Sequence, residues 1–467
     1  MHRGTTPPGS RCTSAACSRQ RSGSPHREDC IVRTGADSLG WPGIVRLGLV
    51  QASIGAIVML ATSLLNRVMV VEFALPATLP AGLVAWHYAV QMTRPHWGHG
   101  SDKGSRRTPW IMAGMAALAL GAMLATDATL TIAARPVFGM VLAVAGFSLI
   151  GAGVGAAGTS LLALLASEVA PERRPAAAAM TWIMMIAGIA GTAGLAGHLI
   201  EPFSPKRLTA VVAGIALTAL VVSLLAVSGV ERARVLPVHG DTSPAFGTVI
   251  AEIWADDRAR RFTIFVFVSM LAYSAQDLIL EPFAGLRFGL TPGQSTSLSG
   301  IQHGGVLAGM LLVGIGGNAF SKDAGWMRGW TVGGCFGSAV ALAGLVMAAR
   351  VGMAWPLTAN VALLGFANGV FAVAAIGSMM GLAGADGPGR EGLRMGVWGA
   401  AQAVAFGIGG FAGAAGVDVL RAVTGDAPTS FASVFAAEAA LFVVAALLAL
   451  QIGKVARKTP DMVGASA

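Results

Sequence analysis

Apolar runs about as long as a bilayer is thick recur along most of this chain. A hydrocarbon core spans roughly 30 Å and a helix climbs about 1.5 Å per residue, so about 20 apolar residues cross it. Lipid offers no partner to an open strand edge, so such runs fold as helices. Twelve runs are read, at roughly 44–66, 76–97, 109–127, 137–165, 176–199, 208–229, 262–281, 295–317, 326–348, 355–380, 395–417 and 430–452. Only 12% of the residues are charged, against about 25% in a soluble domain. The 63 glycines suit helices packed backbone to backbone, because small residues let helices approach closely in lipid. The expected fold is an all-α membrane protein of twelve transmembrane helices.

The loops carry the topology. With both termini placed in the cytoplasm, 24 Lys and Arg residues fall on the cytoplasmic side and 7 on the other, with Arg94 inside a run. That bias is the positive-inside signature. It also accounts for the net charge of +9, which in a soluble protein would suggest nucleic acid and here suggests anionic lipid. Residues 1–40 are rich in Arg, Ser, Gly, Pro and Cys and hold no apolar run. They read as a disordered cytoplasmic tail, or as an over-long start, and not as a signal peptide. Cys12, Cys17, Cys30 and Cys335 have no zinc spacing.

The longest polar interval divides the chain into a six-helix half at 41–230, a cytoplasmic linker at 231–261, a second half at 262–455 and a cytoplasmic tail at 456–467. A repeat supports the division. Shifting the sequence by 216 residues lays His87 on His303, Gly98 on Gly314, Ser105 on Ser321 and Trp110 on Trp326. Two parallel six-helix pseudo-repeats are the architecture of the major facilitator fold.

The stretch "WGHGSDKGSRR" between the second and third runs packs charge among glycines. It resembles the major facilitator signature loop, through Gly98, Asp102, Lys103, Arg106 and Arg107, with Ser105 in place of the second signature glycine. The resemblance implies that Asp102 braces the two halves in one state of alternating access. A plain positive-inside loop is the alternative.

Longer stretches narrow the family. "LGWPGIVRLGLVQ", "NRVMVVEFALPATLPAGLVAWHYAVQ", "RPHWGHGSD" and "QDLILEPFAGLRFGLTPGQST" together resemble the PucC/LhaA group of bacteriochlorophyll delivery proteins, major facilitator relatives of purple phototrophic bacteria. The likeness covers about residues 39–452. It implies a non-enzymatic assembly factor in the bacterial inner (intracytoplasmic) membrane, with bacteriochlorophyll as carried pigment. Its implied partners are light-harvesting antenna polypeptides, with the reaction centre or a bacteriochlorophyll synthase as a further one. "EPFAGLRFGLTPGQST" and "HGGVLAGM" favour the LhaA-like branch, serving the core antenna, over the branch serving the peripheral antenna. A proton-coupled transporter of a small solute stays open as a reading from a different class. No P-loop, metal box or nucleophile–base spacing suggests an enzyme.

Ionisable groups inside spans point to function. His87 and His303 coincide under the repeat and are candidate axial ligands for a pigment magnesium, since a neutral imidazole ligates metals. The plainer reading is a histidine hydrogen-bonded to a neighbouring helix. Gln91 and Gln302 are weaker candidates. Arg67 and Glu72 close the first run, Asp277 and Glu281 the seventh. Arg67 is expected to pair with Asp277 across the pseudo-twofold, unless all four charges are solvated among headgroups. "EPF" recurs at Glu201 and Glu281 and is expected to stop a helix at each place.

Overall fold

The computed structural model describes residues 39–94, 97, 101, 106–170, 173–231, 254–255, 257–320, 324–384 and 391–452. Among these residues twelve long helices follow one another. α1 spans Trp41–Met59 and winds on through π-helical turns at Leu60–Leu65 and Val68–Glu72. α2 is Thr78–Gln91, α3 Thr108–Thr131, α4 Pro136–Glu168, α5 Arg174–Leu199 and α6 Pro205–Val227. α7 is Asp257–Phe288, α8 Pro292–Phe320, α9 Ala324–Val351, α10 Leu357–Gly384, α11 Glu391–Thr424 and α12 Ala427–Ile452. Proline in the first turn starts α1, α3, α4, α5 and α6, where its missing N–H has no partner to lose and its fixed φ suits a helix.

Ten of these helices are long and apolar enough to cross a membrane. α2 has 14 residues, and α8 carries Gln294, Ser295, Thr296, Ser297, Ser299 and Gln302 in its first half. Length and composition therefore carry ten of the twelve expected crossings.

The helix contacts repeat with the sequence. α1 packs on α5 and α6, α2 on α4, and α3 on α4 and α6; six helices later α7 packs on α11 and α12, α8 on α10, and α9 on α10 and α12. The halves join where α5 meets α8, α11 meets α2, and the π-helical end of α1 meets α7 and α8. Close approach depends on glycine. A Cβ on Gly365 would press into the Gln302 carbonyl, and one on Gly369 into that of Val306, so α8 and α10 touch along backbone.

One boundary departs from expectation. Pro282 lies inside α7, which runs on to Phe288, so the second "EPF" stops nothing. A mid-helix proline loses one backbone bond and usually kinks or ends the helix. Here Phe283 is fully buried and its ring lies 5.4 Å from Phe431, 5.1 Å from Phe435 and 5.6 Å from Phe288. That packing holds the continuation in place. At Glu201 the expectation is met, since α5 ends at Leu199.

Candidate functional site

Charge and hydrogen bonding concentrate where α1 meets α7 and α8. The π-helical turns flank Asn66 and Arg67; such bulges re-aim side chains and recur at functional sites. Asn66 donates from Nδ2 to the Leu278 carbonyl at 2.7 Å. Ser63 donates to Glu281 Oε1 and lies 3.1 Å from Ser299 Oγ, while Thr296 Oγ1 donates to Glu281 Oε2 at 3.3 Å. Arg67, 2% exposed, donates from Nη1 to Glu72, from Nε to Ser295 Oγ at 3.0 Å and from Nη2 to the Leu290 carbonyl at 2.6 Å. Each of these bonds satisfies a group that lipid would leave unpaired.

The expected Arg67–Asp277 pair is corrected by this geometry. Arg67 pairs with Glu72 at 2.5 Å, and the acid of α7 within its electrostatic reach is Glu281. Asp277 lies one turn nearer the middle of α7 and accepts a long bond, 3.4 Å, from Gln302 Nε2. Solvation of all four charges among headgroups does not fit: Glu72 has a side chain 31% exposed and Asp277 is partly buried, but Arg67 and Glu281 are buried.

The two histidines differ in what their rings do. His87 is buried, with Nε2 2.7 Å from Gln91 Nε2. The amide must donate there, so that nitrogen's lone pair is used. Gln91 in turn accepts from Arg94. His303 is only partly buried, and its Nδ1 lies 2.9 Å from the Ser299 carbonyl. A carbonyl accepts only, so Nδ1 carries the proton and Nε2 keeps a lone pair. An imidazole held by a backbone carbonyl through its other nitrogen is the usual posture of a metal-ligating histidine.

Aromatic rings continue the site into both halves. Tyr88 of α2 and Tyr273 of α7 each lie 5.7 Å from Phe406 of α11. Tyr273 reaches Phe371 of α10 at 6.4 Å, and Phe371 reaches Phe442 of α12 at 5.6 Å. Asp277 is within electrostatic range of both tyrosines.

Of the signature loop, Gly98, Asp102 and Lys103 lie outside the described residues. Arg106 is exposed, and the Arg107 backbone N–H donates to Glu231 Oε1 at 2.5 Å. Glu231 also accepts from the Thr108 N–H and hydroxyl, each at 2.7 Å, and so caps α3.

Two further caps join the halves, and the sequence reading missed both. Asp418 of α11 accepts from the backbone N–H of Ala77 at 3.2 Å and of Thr78 at 2.7 Å, at the start of α2. Glu201, just past α5, accepts from the Gly293 N–H at 3.0 Å and the Thr291 hydroxyl, at the start of α8. The 216-residue shift that aligns the histidines also lays Ala77 on Gly293, and it brings Glu201 beside Asp418. Glu438 of α12 was also missed: it is 2% exposed and is the one acid in the run 430–452, a signal open to inspection.

Residues 64–457 match the family described as PUCC protein. A relative described as "Bacteriochlorophyll synthase 44.5 kDa chain", from Rhodobacter capsulatus, is 53% identical over 412 residues, covering 88% of this chain and 95% of the relative. A "Protein PucC" from Rhodobacter capsulatus is 29% identical over 434 residues, covering 88% and 92%. Among solved structures, a peptide transporter POT in complex with alafosfalin superposes with TM-score 0.64 at 15% identity, covering 90% of this chain and 97% of that one. The POT family transporter PepTSo gives 0.64 at 13%, covering 89% and 99%. At such identity the likeness is one of fold, and it bears out the expected major facilitator architecture.

Proposed function

Because the chain belongs to the PUCC protein family, we propose that it serves the assembly of light-harvesting complexes in a purple phototrophic bacterium. In this reading it handles or delivers bacteriochlorophyll while core antenna polypeptides gather around the reaction centre, and it catalyses nothing itself. It sits in the inner (intracytoplasmic) membrane with its basic loops and both termini in the cytoplasm. In this reading its partners are antenna polypeptides, together with the reaction centre or a bacteriochlorophyll synthase. The names of its relatives support the pigment system, and the transporter fold supports a binding and moving role.

The observation that carries the pigment assignment is the His303 ring. A bacteriochlorophyll would supply a magnesium ion in need of a nitrogen ligand, and His303 would hold it through Nε2, with its other nitrogen anchored on Ser299. Gln302, bound to Asp277, steadies α8 beside it. His87 fits less well, because Gln91 occupies its Nε2.

The test is His303→Ala beside His87→Ala, expressed in phototrophic cells and purified in mild detergent. His303→Ala is expected to accumulate normally, hold less pigment and lower core-antenna absorbance; His87→Ala is expected to lose protein before pigment. Normal pigment and normal antenna in a well-accumulated His303→Ala protein would sink the assignment. Deletion of the gene with loss of the peripheral antenna alone would select that antenna as the one served. The buried acid Glu281 at the seam of a fold shared with peptide transporters favours a second reading, proton-coupled solute transport, which intact antennae in the deletion strain would promote.

A further inference from the structure

Four polar atoms lie buried and unpartnered in one seam of the second half: Glu438 Oε1 and Oε2, and Gln276 Nε2 and Oε1. Gln276 is fully buried and Glu438 is 2% exposed. Their register brings them to the same level of the α7–α12 contact, with no hydrogen bond between them in this structure. Phe283 of α7 and Phe431 of α12 touch, with centroids 5.4 Å apart. The two helices run antiparallel, since the later Phe442 of α12 meets Phe371, which meets the earlier Tyr273 of α7. Seven residues inward along each helix, two turns and about 10 Å, stand Gln276 and Glu438.

Chemistry decides what such a pair holds. A carboxylate only accepts, so it leaves the Gln276 oxygen bare and buries a charge. A carboxylic acid has one donor and one acceptor, as the amide does, and two hydrogen bonds then satisfy all four atoms. We propose that Glu438 and Gln276 form a proton-binding site in the α7–α12 seam, a neutral carboxyl paired with the amide in a two-bond ring. The carboxylate takes up one proton, the new O–H donates to Gln276 Oε1, the acid carbonyl accepts from Nε2, and no other bond changes. Loss of the proton opens the ring and loosens the seam.

The groups facing the site are few. α7 brings Asp277, which interacts electrostatically with Glu438, and Tyr273. α9, which packs on α12, carries the buried Cys335. On α11 the charged groups with described side chains are Asp418 and Arg421, near its end at Thr424. Arg260, Arg261 and Arg328 lie near the opposite helix ends, and Arg287 and Arg350 near the ends that α11 shares. Asp277 follows Gln276 in the chain and bonds Gln302 of α8, so occupancy of the pair reaches the centre between the halves.

The experiment is infrared difference spectroscopy of the full-length protein in lipid nanodiscs, titrated from acid to alkaline pH, with thermal unfolding measured alongside. A protonated-carboxyl band is expected to be lost in Glu438→Gln, to survive in Asp277→Asn, and to shift in Gln276→Leu. The wild-type midpoint is expected to fall as the pH rises and the proton leaves. Glu438→Gln, whose amide forms the same ring with Gln276, is expected to stay folded and lose most of that pH dependence. A band unchanged in Glu438→Gln, or unmoved in Gln276→Leu, overturns the site, as does a wild-type midpoint with the same pH profile as Glu438→Gln.

Discussion

Arg67 shows what a single residue can and cannot announce. A guanidinium in an apolar run is expensive unless every donor finds an acceptor, so its presence marked the meeting of α1 with the second half. Its partner was not legible. Asp277 and Glu281 are four residues apart on one face of α7, and the π turns that flank Arg67 re-aim its side chain in a way that apolar periodicity does not encode. Removing one member of a buried pair typically costs roughly 3–5 kcal/mol. Arg67→Met is therefore expected to lower the unfolding midpoint strongly. Glu72→Gln, at a partly exposed side chain, is expected to cost less. Exchanging the charges of Arg67 and Asp277 is expected to rescue neither single variant, and a clear rescue in thermal melts would contradict the contacts seen. His87 and His303 make the same point: equivalence under the repeat was readable, but not that one ring spends its lone pair on Gln91 while the other keeps it.

At the level of elements, most boundaries followed from hydropathy and proline, and the exceptions have causes. α7 passes Pro282 because Phe283 is gripped by α12. The acids that start helices were harder to see, because Asp418 and Glu201 cap helices far away in sequence. Substituting a capping acid by alanine costs about 0.5–2 kcal/mol. Asp418→Ala and Glu201→Ala are each expected to lose that much stability, and nearly additively, since the sites share no partner. A loss in the double variant far above the sum of the two single losses, measured by denaturation in detergent, would mean the caps are coupled. α12 has a local cap instead: the Thr429 N–H donates to Asp426 at 2.9 Å. The Thr429 hydroxyl and N–H hold the Asp426 carboxyl below its usual range. Because the folded value is depressed, its contribution is present above the unfolded value and fades as the pH falls through the folded one. Asp426→Asn is expected to flatten that acid limb of the stability profile.

For the whole molecule, the order of helices and their repeated packing were written in apolar run length and the 216-residue repeat. The faces that meet were not, because contacts such as Gly365 on the Gln302 carbonyl depend on helix rotation, which an almost uniformly apolar run does not specify. Gly365→Leu is expected to force α8 and α10 apart and reduce the folded yield in membranes, and unchanged yield would mean the crossing is loose. The paired caps of Asp418 and Glu201 carry a consequence of a mechanical kind. Both sit where α2 and α8 begin, at the same end of the helix bundle, and each ties one half to the other through an anchored helix end. Two such ties flanking the central axis make a fulcrum. A rocking of the halves is expected to pivot at that end of the bundle and to open the opposite end, which carries Arg106 and Arg173. Cutting both ties at once is expected to let an impermeant thiol reagent reach a cysteine at Ser63 from the capped side, whereas cutting either alone leaves the pivot standing.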